Sequence, residues 1–404
     1  MSAPVSARPA WLDALAAAPD RVRAVREFWD SGGETPVVGR TVERDGRAWC
    51  EVTFVWRQQS TDRSSVEVMV HVNGVTDAHR SDVTPALLER LPGTDLWHRS
   101  WWLPADGTWG YRFVEAPSIP RDAGATRDGW LAMHRAGRVD PGNPRRQPPA
   151  PGDGSSVLVL PGAYQHPAWS PTPDPVATPD RWDVPDVDGR LRTVRRWAPP
   201  GRSSGRRLLV LFDGEQWSAL GLLDAVARAG LDVEVLLLDS HGQERRAADL
   251  PRPDRAATIV AAALARRAAE TGQPIDAARV VVAGQSFGGL AAAAVALARP
   301  DLARTAVVQS GSFWYADGSE PRRDNPVPGD LVRALRAGTF GRPSARFVVQ
   351  VGTHEGTMLE QARHFSDACR DAGARVSLDV VTGGHDYAWW KHHLLRALTD
   401  VTGG

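Results

Sequence analysis

In the stretch Ala283-Gly284-Gln285-Ser286-Phe287-Gly288-Gly289, a serine stands between glycines where an apolar run, Val280 to Ala283, gives way to an Ala-rich helix former. Gly-x-Ser-x-Gly in that context reads as a nucleophile elbow, a sharp strand-to-helix turn that exposes a serine in strained backbone geometry. Side chains flanking such a turn collide, which accounts for Gly284 and Gly288, while Gly289 lets the helix approach the sheet. A serine hydroxyl is a weak nucleophile at neutral pH, so a base has to take its proton and a third group has to orient that base. The chain order expected of this arrangement is serine, acid, histidine. His385, presented by Gly383 and Gly384 after an apolar run, occupies the base position. Glu355 follows another such run and occupies the acid position; a Ser-His pair without an acid is the alternative. His354 and Asp386 are neighbours of these residues, and Asp386 is too close in sequence to reach round the His385 ring. A tetrahedral oxyanion needs two preorganised donors. The Phe287 amide is one, and the amide of Glu215 or Gln216, in the turn that Gly214 permits, is the other. With no metal-ligand spacing, P-loop or dinucleotide fingerprint, no metal and no cofactor is expected.

The elements that must hold these groups follow from periodicity. Strand-like runs at 206–212, 231–239, 279–284, 305–311, 346–352 and 376–381 alternate with helical stretches, which predicts an α/β-hydrolase domain, a mostly parallel sheet with helices on both faces. In the helical segment 357–372, Met358, Leu359, Ala362, Phe365, Ala368 and Cys369 form a stripe of core packing. Upstream the period is two: valines at 66, 68, 70 and 72 share a face, as do Trp109, Tyr111 and Phe113. With the Asn73-Gly74 turn signal, residues about 36–136 read as an all-β, immunoglobulin-like sandwich. Helical spacing over 11–30 predicts an opening helix. Proline crowds residues 137–182 and excludes a helix or a central strand there. The expected division is a β-sandwich domain in 1–150, a Pro-rich linker in 151–185 and the α/β-hydrolase domain in 186–404.

The chain has 404 residues, long enough for two domains. Its 48 basic and 48 acidic residues cancel, which argues against nucleic-acid or membrane-surface binding through bulk charge. Lys391 is the only lysine, so positive charge is carried by arginine forks, which grip oxyanions bidentately. The two cysteines, Cys50 and Cys369, give no disulfide framework. Without a signal-type apolar stretch or a run of about 18 apolar residues, the expected location is the cytoplasm.

The segments "VTFVWR", "VNGVTD", "LPGTDLWHRSWWLP", "DPGNP", "LFDGEQW", "VVAGQSFGGL", "QSGSFWY" and "GGHDYAWW", in this order, resemble the cytosolic enterochelin (enterobactin) esterase family. Members of that family cleave the trilactone of ferric catecholate siderophores and release iron. The resemblance implies a β-sandwich followed by an α/β-hydrolase domain, a small ferric siderophore as substrate, and iron present only within that substrate. It also puts the nucleophile on Ser286, the base on His385 and the acid on Glu355, although "GTHEG" departs from the most familiar members. By position, Trp217, Phe313 and Trp314 fall in segments that line the substrate site, where flat rings suit aryl groups. The segment "LLLDSHGQERRAADL" offers Arg245 or Arg246 as the ligand arginine, and Arg322 and Arg323 are further candidates for a trianionic complex. The family's pairing of domains implies that the N-terminal one shapes substrate access. Within the same fold, an esterase or acyltransferase acting on another aryl or peptidyl ester is the alternative.

Overall fold

The structure, a computed structural model, describes residues 4–59, 66–148, 154–170, 177–201, 205–319 and 325–403. The chain divides into two compact units, Met1–Tyr164 with Thr382–Trp389, and Gln165–Val381 with Trp390–Gly404.

The first unit opens with α1 (Ala10–Ala17) and α2 (Arg21–Asp30). The sequence predicts one helix here; Pro19 cannot continue it, and Asp20 starts a second by accepting the Arg23 amide. Eight strands follow: β1 (Val37–Arg44), β2 (Arg47–Arg57), β3 (Glu67–Val72), β4 (Glu89–Arg90), β5 (Leu96–Pro104), β6 (Thr108–Ala116), β7 (Arg146–Gln147) and β8 (Ser155–Val159), with α3 (Arg127–Ala136) between β6 and β7. They pair antiparallel in two four-stranded sheets, β1-β2-β5-β4 and β3-β6-β8-β7. Val68, Val70 and Val72 of β3 and Trp109, Tyr111 and Phe113 of β6 meet Phe54 and Trp101 of the other sheet in one core. The period-two faces of the sequence are thus the inner faces of a sandwich. Met69, on the outer face of β3, is buried too, beneath Val83, Ile119 and residues of α3.

The second unit contains β9 (Asp180–Pro185), β10 (Leu191–Trp197), β11 (Arg207–Phe212), β12 (Val233–Leu238), β13 (Val280–Gln285), β14 (Thr305–Gln309), β15 (Arg346–Gly352) and β16 (Arg375–Val381). Its helices are α4 (Gly214–Leu220), α5 (Leu222–Arg228), α6 (Gln243–Asp249), α7 (Pro253–Thr271), α8 (Phe287–Ala298), α9 (Asp330–Arg336), α10 (Met358–Asp371) and α11 (Tyr387–Thr402), the first three residues of α11 lying in the other unit. The sheet order is β16-β15-β14-β13-β11-β12-β10-β9, parallel from β16 to β12 and antiparallel beyond. Alternate residues of β11, Leu208, Val210 and Phe212, join α7, α8, α9 and α10 in one core, while Leu209 and Leu211 are buried as well. Burial of both sets is why these strands read as continuous apolar runs. Ala362, Phe365, Ala368 and Cys369 of α10 belong to that core, as their stripe predicts.

The expected linker, 151–185, contains two strands, because its prolines fall on either side of the proline-free run Ser155–Val159 and at the end of β9. The sequence reading also missed β10. Its inward residues are Arg192 and Val194, whereas Leu191 is 58% exposed, so the apolar alternation is inverted. The buried Arg192 guanidinium pairs with Asp249 of α6 and lies 3.7 Å from Asp186. Among the described residues, no helix is long and apolar enough to cross a membrane.

Candidate active site

The turn from β13 into α8 puts Ser286 at φ 56°, ψ −119°, a region that costs a non-glycine residue roughly 1–3 kcal/mol. A Cβ on Gly284 would overlap the Gly288 carbonyl, and one on Gly289 would come within 3.0 Å of the Gln309 carbonyl oxygen on β14. The strain is held by backbone bonds: Ser286 N–H donates to Gln309 O at 3.0 Å, and Ser312 N–H donates to Ser286 O at 3.1 Å. Ser286 is half-buried, and its Oγ lies 3.3 Å from the Oγ of the buried Ser312. Phe287, the first residue of α8, contributes one of the N–H groups that a helix cannot satisfy internally.

Beneath the serine lies a buried polar network that the sequence did not suggest. Gln285 Nε2 donates to Asp213 Oδ2 at 2.9 Å, and Trp217 Nε1 donates to Gln285 Oε1 at 3.1 Å. Asp213, in left-handed geometry at the end of β11, accepts Ser240 Oγ–H at 2.7 Å and a bidentate pair from Arg246 at 2.7 and 2.8 Å. Arg246 also donates to the Gln285 carbonyl at 3.2 Å and lies over the Phe287 ring. The ends of β11, β12 and β13 and the first turns of α4 and α6 are thereby tied together. The "LFDGEQW" motif contains Asp213, but its partners are distant in sequence, which is why spacing did not find the network.

Glu355, between β15 and α10, is buried, and its Oε1 accepts Ser310 Oγ–H and Gly352 N–H, each at 2.6 Å. Ser310 Oγ in turn accepts the indole N–H of Trp390 at 2.9 Å. His354 turns instead to the adjacent Thr353 hydroxyl, with Nδ1 and Oγ1 2.9 Å apart. His385 lies on the Thr382–Trp389 segment of the first unit, half-buried, with its carbonyl accepting Asn73 Nδ2–H at 3.1 Å. The neighbouring Asp386 carboxylate accepts Gly110 N–H, Gln147 Nε2–H and Ala388 N–H, so it fastens this segment and caps α11.

Several residues singled out by resemblance have other occupations. Trp217 is 0% exposed and bonds Gln285, so its ring packs below the elbow and does not line a cleft. Phe313 is also in the core, stacked on Phe365 at 4.1 Å between centroids. Trp314 stays near the serine, packed against Phe287 at 5.7 Å, with its buried Nε1 lacking a hydrogen-bond partner among the described residues. Arg245 donates to Asp186 at 2.8 Å and Arg246 is committed to Asp213, which makes both structural ion-pair members. Arg322 and Arg323 lie outside the described residues. In the α4 turn, Gln216 N–H donates to Asp213 O at 3.0 Å, and Glu215 Oε2 accepts Ser240 N–H at 2.8 Å. Burial, with Asp213 and Asp239 nearby, raises the Glu215 carboxyl above its ordinary pKa.

A mostly parallel sheet with a serine on a strained strand-to-helix turn, in a chain that begins with a β-rich domain, defines an α/β-hydrolase of the esterase class. Residues 51–169 match the family described as "Enterochelin esterase, N-terminal", and residues 189–401 match the one described as "Putative esterase". The iron(III) enterobactin esterase of Escherichia coli is 30% identical over 373 residues, covering 87% of this chain and 91% of its own. The ferric enterobactin esterase structure from Salmonella typhimurium aligns with a TM-score of 0.79 at 27% identity, over 93% of this chain and 98% of its own. The Shigella flexneri enterobactin esterase solved in the presence of enterobactin aligns at 0.77 and 26% identity, over 93% and 97%. The chain belongs to the enterochelin esterase family, and it is a carboxylic ester hydrolase.

Proposed function

We propose that this esterase hydrolyses the ester bonds of a ferric catecholate trilactone of the enterobactin type and so releases iron in the cytoplasm. The observation that carries the reading is similarity, along nearly the whole chain, to esterases named for iron(III) enterobactin. Its buried free cysteines, Cys50 and Cys369, are consistent with a reducing compartment.

In the proposed mechanism Ser286 Oγ attacks the ester carbonyl carbon while His385 takes its proton. The carbonyl oxygen becomes an oxyanion, bound by Phe287 N–H and by a second amide, of Glu215 or of Gln216, the latter exchanging the Asp213 carbonyl for the substrate. Collapse expels the alkoxide of the adjoining residue, and the imidazolium protonates it. Water, deprotonated by His385, then attacks the acyl-serine and releases the acid. Glu355 orients and stabilises the imidazolium, its carboxylate held in place by the bonds from Ser310 and Gly352. Trp314, with Phe287 beside it, offers the ring surface for a catechol.

Chromatography of the products formed from ferric and iron-free enterobactin tests the substrate. The proposal predicts linear catecholoyl-serine esters and monomer. An intact trilactone, alongside rapid turnover of a simple aryl ester, would assign the enzyme to another ester.

A further inference from the structure

The segment that carries His385 is bound along its length by residues of the β-sandwich. At its start, the Thr382 carbonyl accepts Thr108 N–H at 3.4 Å, and the Thr382 hydroxyl accepts Arg47 Nη2–H at 2.6 Å while donating to Asp106 at 3.0 Å. Gly384 lies so close to the β3 turn that an added Cβ would overlap the Asn73 carbonyl oxygen. The His385 carbonyl accepts Asn73 Nδ2–H at 3.1 Å. One residue on, Asp386 accepts Gly110 N–H at 2.5 Å through Oδ2 and Gln147 Nε2–H at 2.9 Å through Oδ1. An added Cβ on Gly110 would overlap that carboxylate.

Asn73 is fixed in its turn. Its N–H donates to Gly110 O at 3.0 Å, and the next amide, of Gly74, donates to Asp77 Oδ2 at 2.7 Å. The backbone is therefore pinned immediately before, at and after His385. These are not incidental surface bonds, since Gly110, Gln147, Gly384 and Asp386 are all buried. The preceding Gly383-Gly384 pair lacks side chains that would stiffen the loop, so the sandwich supplies the rigidity that local sequence withholds.

We propose that the β-sandwich positions the general base, with Asn73, Gly110 and Gln147 acting as positioning residues for His385. This rests on the reading of His385 as the base. A donor held on the carbonyl of the base residue and a clamp on the next carboxylate fix the loop that carries the imidazole. Loss of either lets the ring drift, and misplacement by about 1 Å can cost a reaction roughly 100-fold. The effect belongs to the chemical step and is independent of substrate size, so it extends to a small neutral aryl ester that needs no help with binding.

The test uses the full chain and such an ester, with kcat and KM measured separately for Asn73→Asp, Gln147→Leu and His385→Ala, and melting recorded for each. Asp at position 73 keeps the turn-forming Asx-Gly pair and removes the donor. The expected result is about a 10- to 100-fold fall in kcat for Asn73→Asp and for Gln147→Leu, with KM within about 3-fold, and a loss of roughly 10⁴ for His385→Ala. An inactive His385→Ala beside an Asn73→Asp protein with wild-type kcat would overturn the proposal, whatever happens to stability. Wild-type turnover by His385→Ala would instead overturn the reading of His385 on which it rests. Should Gln147→Leu fail to fold, Asn73→Asp still decides.

Discussion

At Ser286 the backbone is strained and the support beneath it is ionic. Arg246 holds Asp213 bidentately, Asp213 holds Gln285, and Gln285 precedes the serine. Arg246→Ala should therefore leave a buried carboxylate without its cation and destabilise the protein by about 3–5 kcal/mol. It should also lower kcat for a neutral aryl ester as strongly as for a ferric siderophore. Denaturant titration and kinetics on both substrates check this; a rise in KM for the anionic substrate alone would return Arg246 to ligand binding. For Glu355→Gln the expected loss in kcat is smaller than for Ser286→Ala, because nucleophile and base remain and only charge and tautomer control go. Wild-type kcat in Glu355→Gln would favour a Ser-His pair.

Among the elements, β10 depends on a buried charge as much as on apolar packing. Arg192→Leu strips Asp249 and Asp186 of a partner and should cost about 3–5 kcal/mol, read as a lower urea midpoint; an unchanged midpoint would show that this buried charge does not hold β10 in place. The same residue explains why β10 escaped the sequence reading, which takes inward positions to be apolar. By contrast, β11 to β16 were legible as apolar runs, and β3 and β6 as alternating ones, because the local period reports burial directly. The elbow was legible too, since the glycines it needs are adjacent in the chain. What spacing could not show is which carboxylate an arginine meets: Asp186 and Asp213, far away in sequence, decide the roles of Arg245 and Arg246. Nor could it show that Trp217 and Phe313, placed by resemblance at the substrate, are sealed in the core.

For the molecule as a whole, buried histidines set the response to acid. Burial, together with nearby His71 and Arg112, pushes His134 down to about 4; burial lowers His392 to about 3 and His393 to about 4. The unfolded chain binds these protons near the ordinary 6.5, before the folded chain does. Their stabilisation is therefore complete above 6.5 and is lost as pH falls toward 4. Asp140 and Glu215, raised by burial, act in the opposite sense in the acid range. Calorimetry should show a melting temperature that is level above pH 7 and falls toward pH 5, with a smaller fall in His392→Gln; a melting temperature constant from pH 7.5 to 5 would contradict this.

In the proposed mechanism a trilactone ester is opened by Ser286 through a covalent acyl-enzyme. Its most direct test is to treat the protein with a serine-directed phosphonate, locate the adduct by peptide mass spectrometry, and follow hydrolysis of ferric enterobactin as labelling proceeds. The expected result is a single adduct on the peptide containing Ser286, with hydrolysis lost in proportion to labelling and no adduct in Ser286→Ala. An adduct on another residue, or full hydrolysis by protein completely labelled at Ser286, would contradict it.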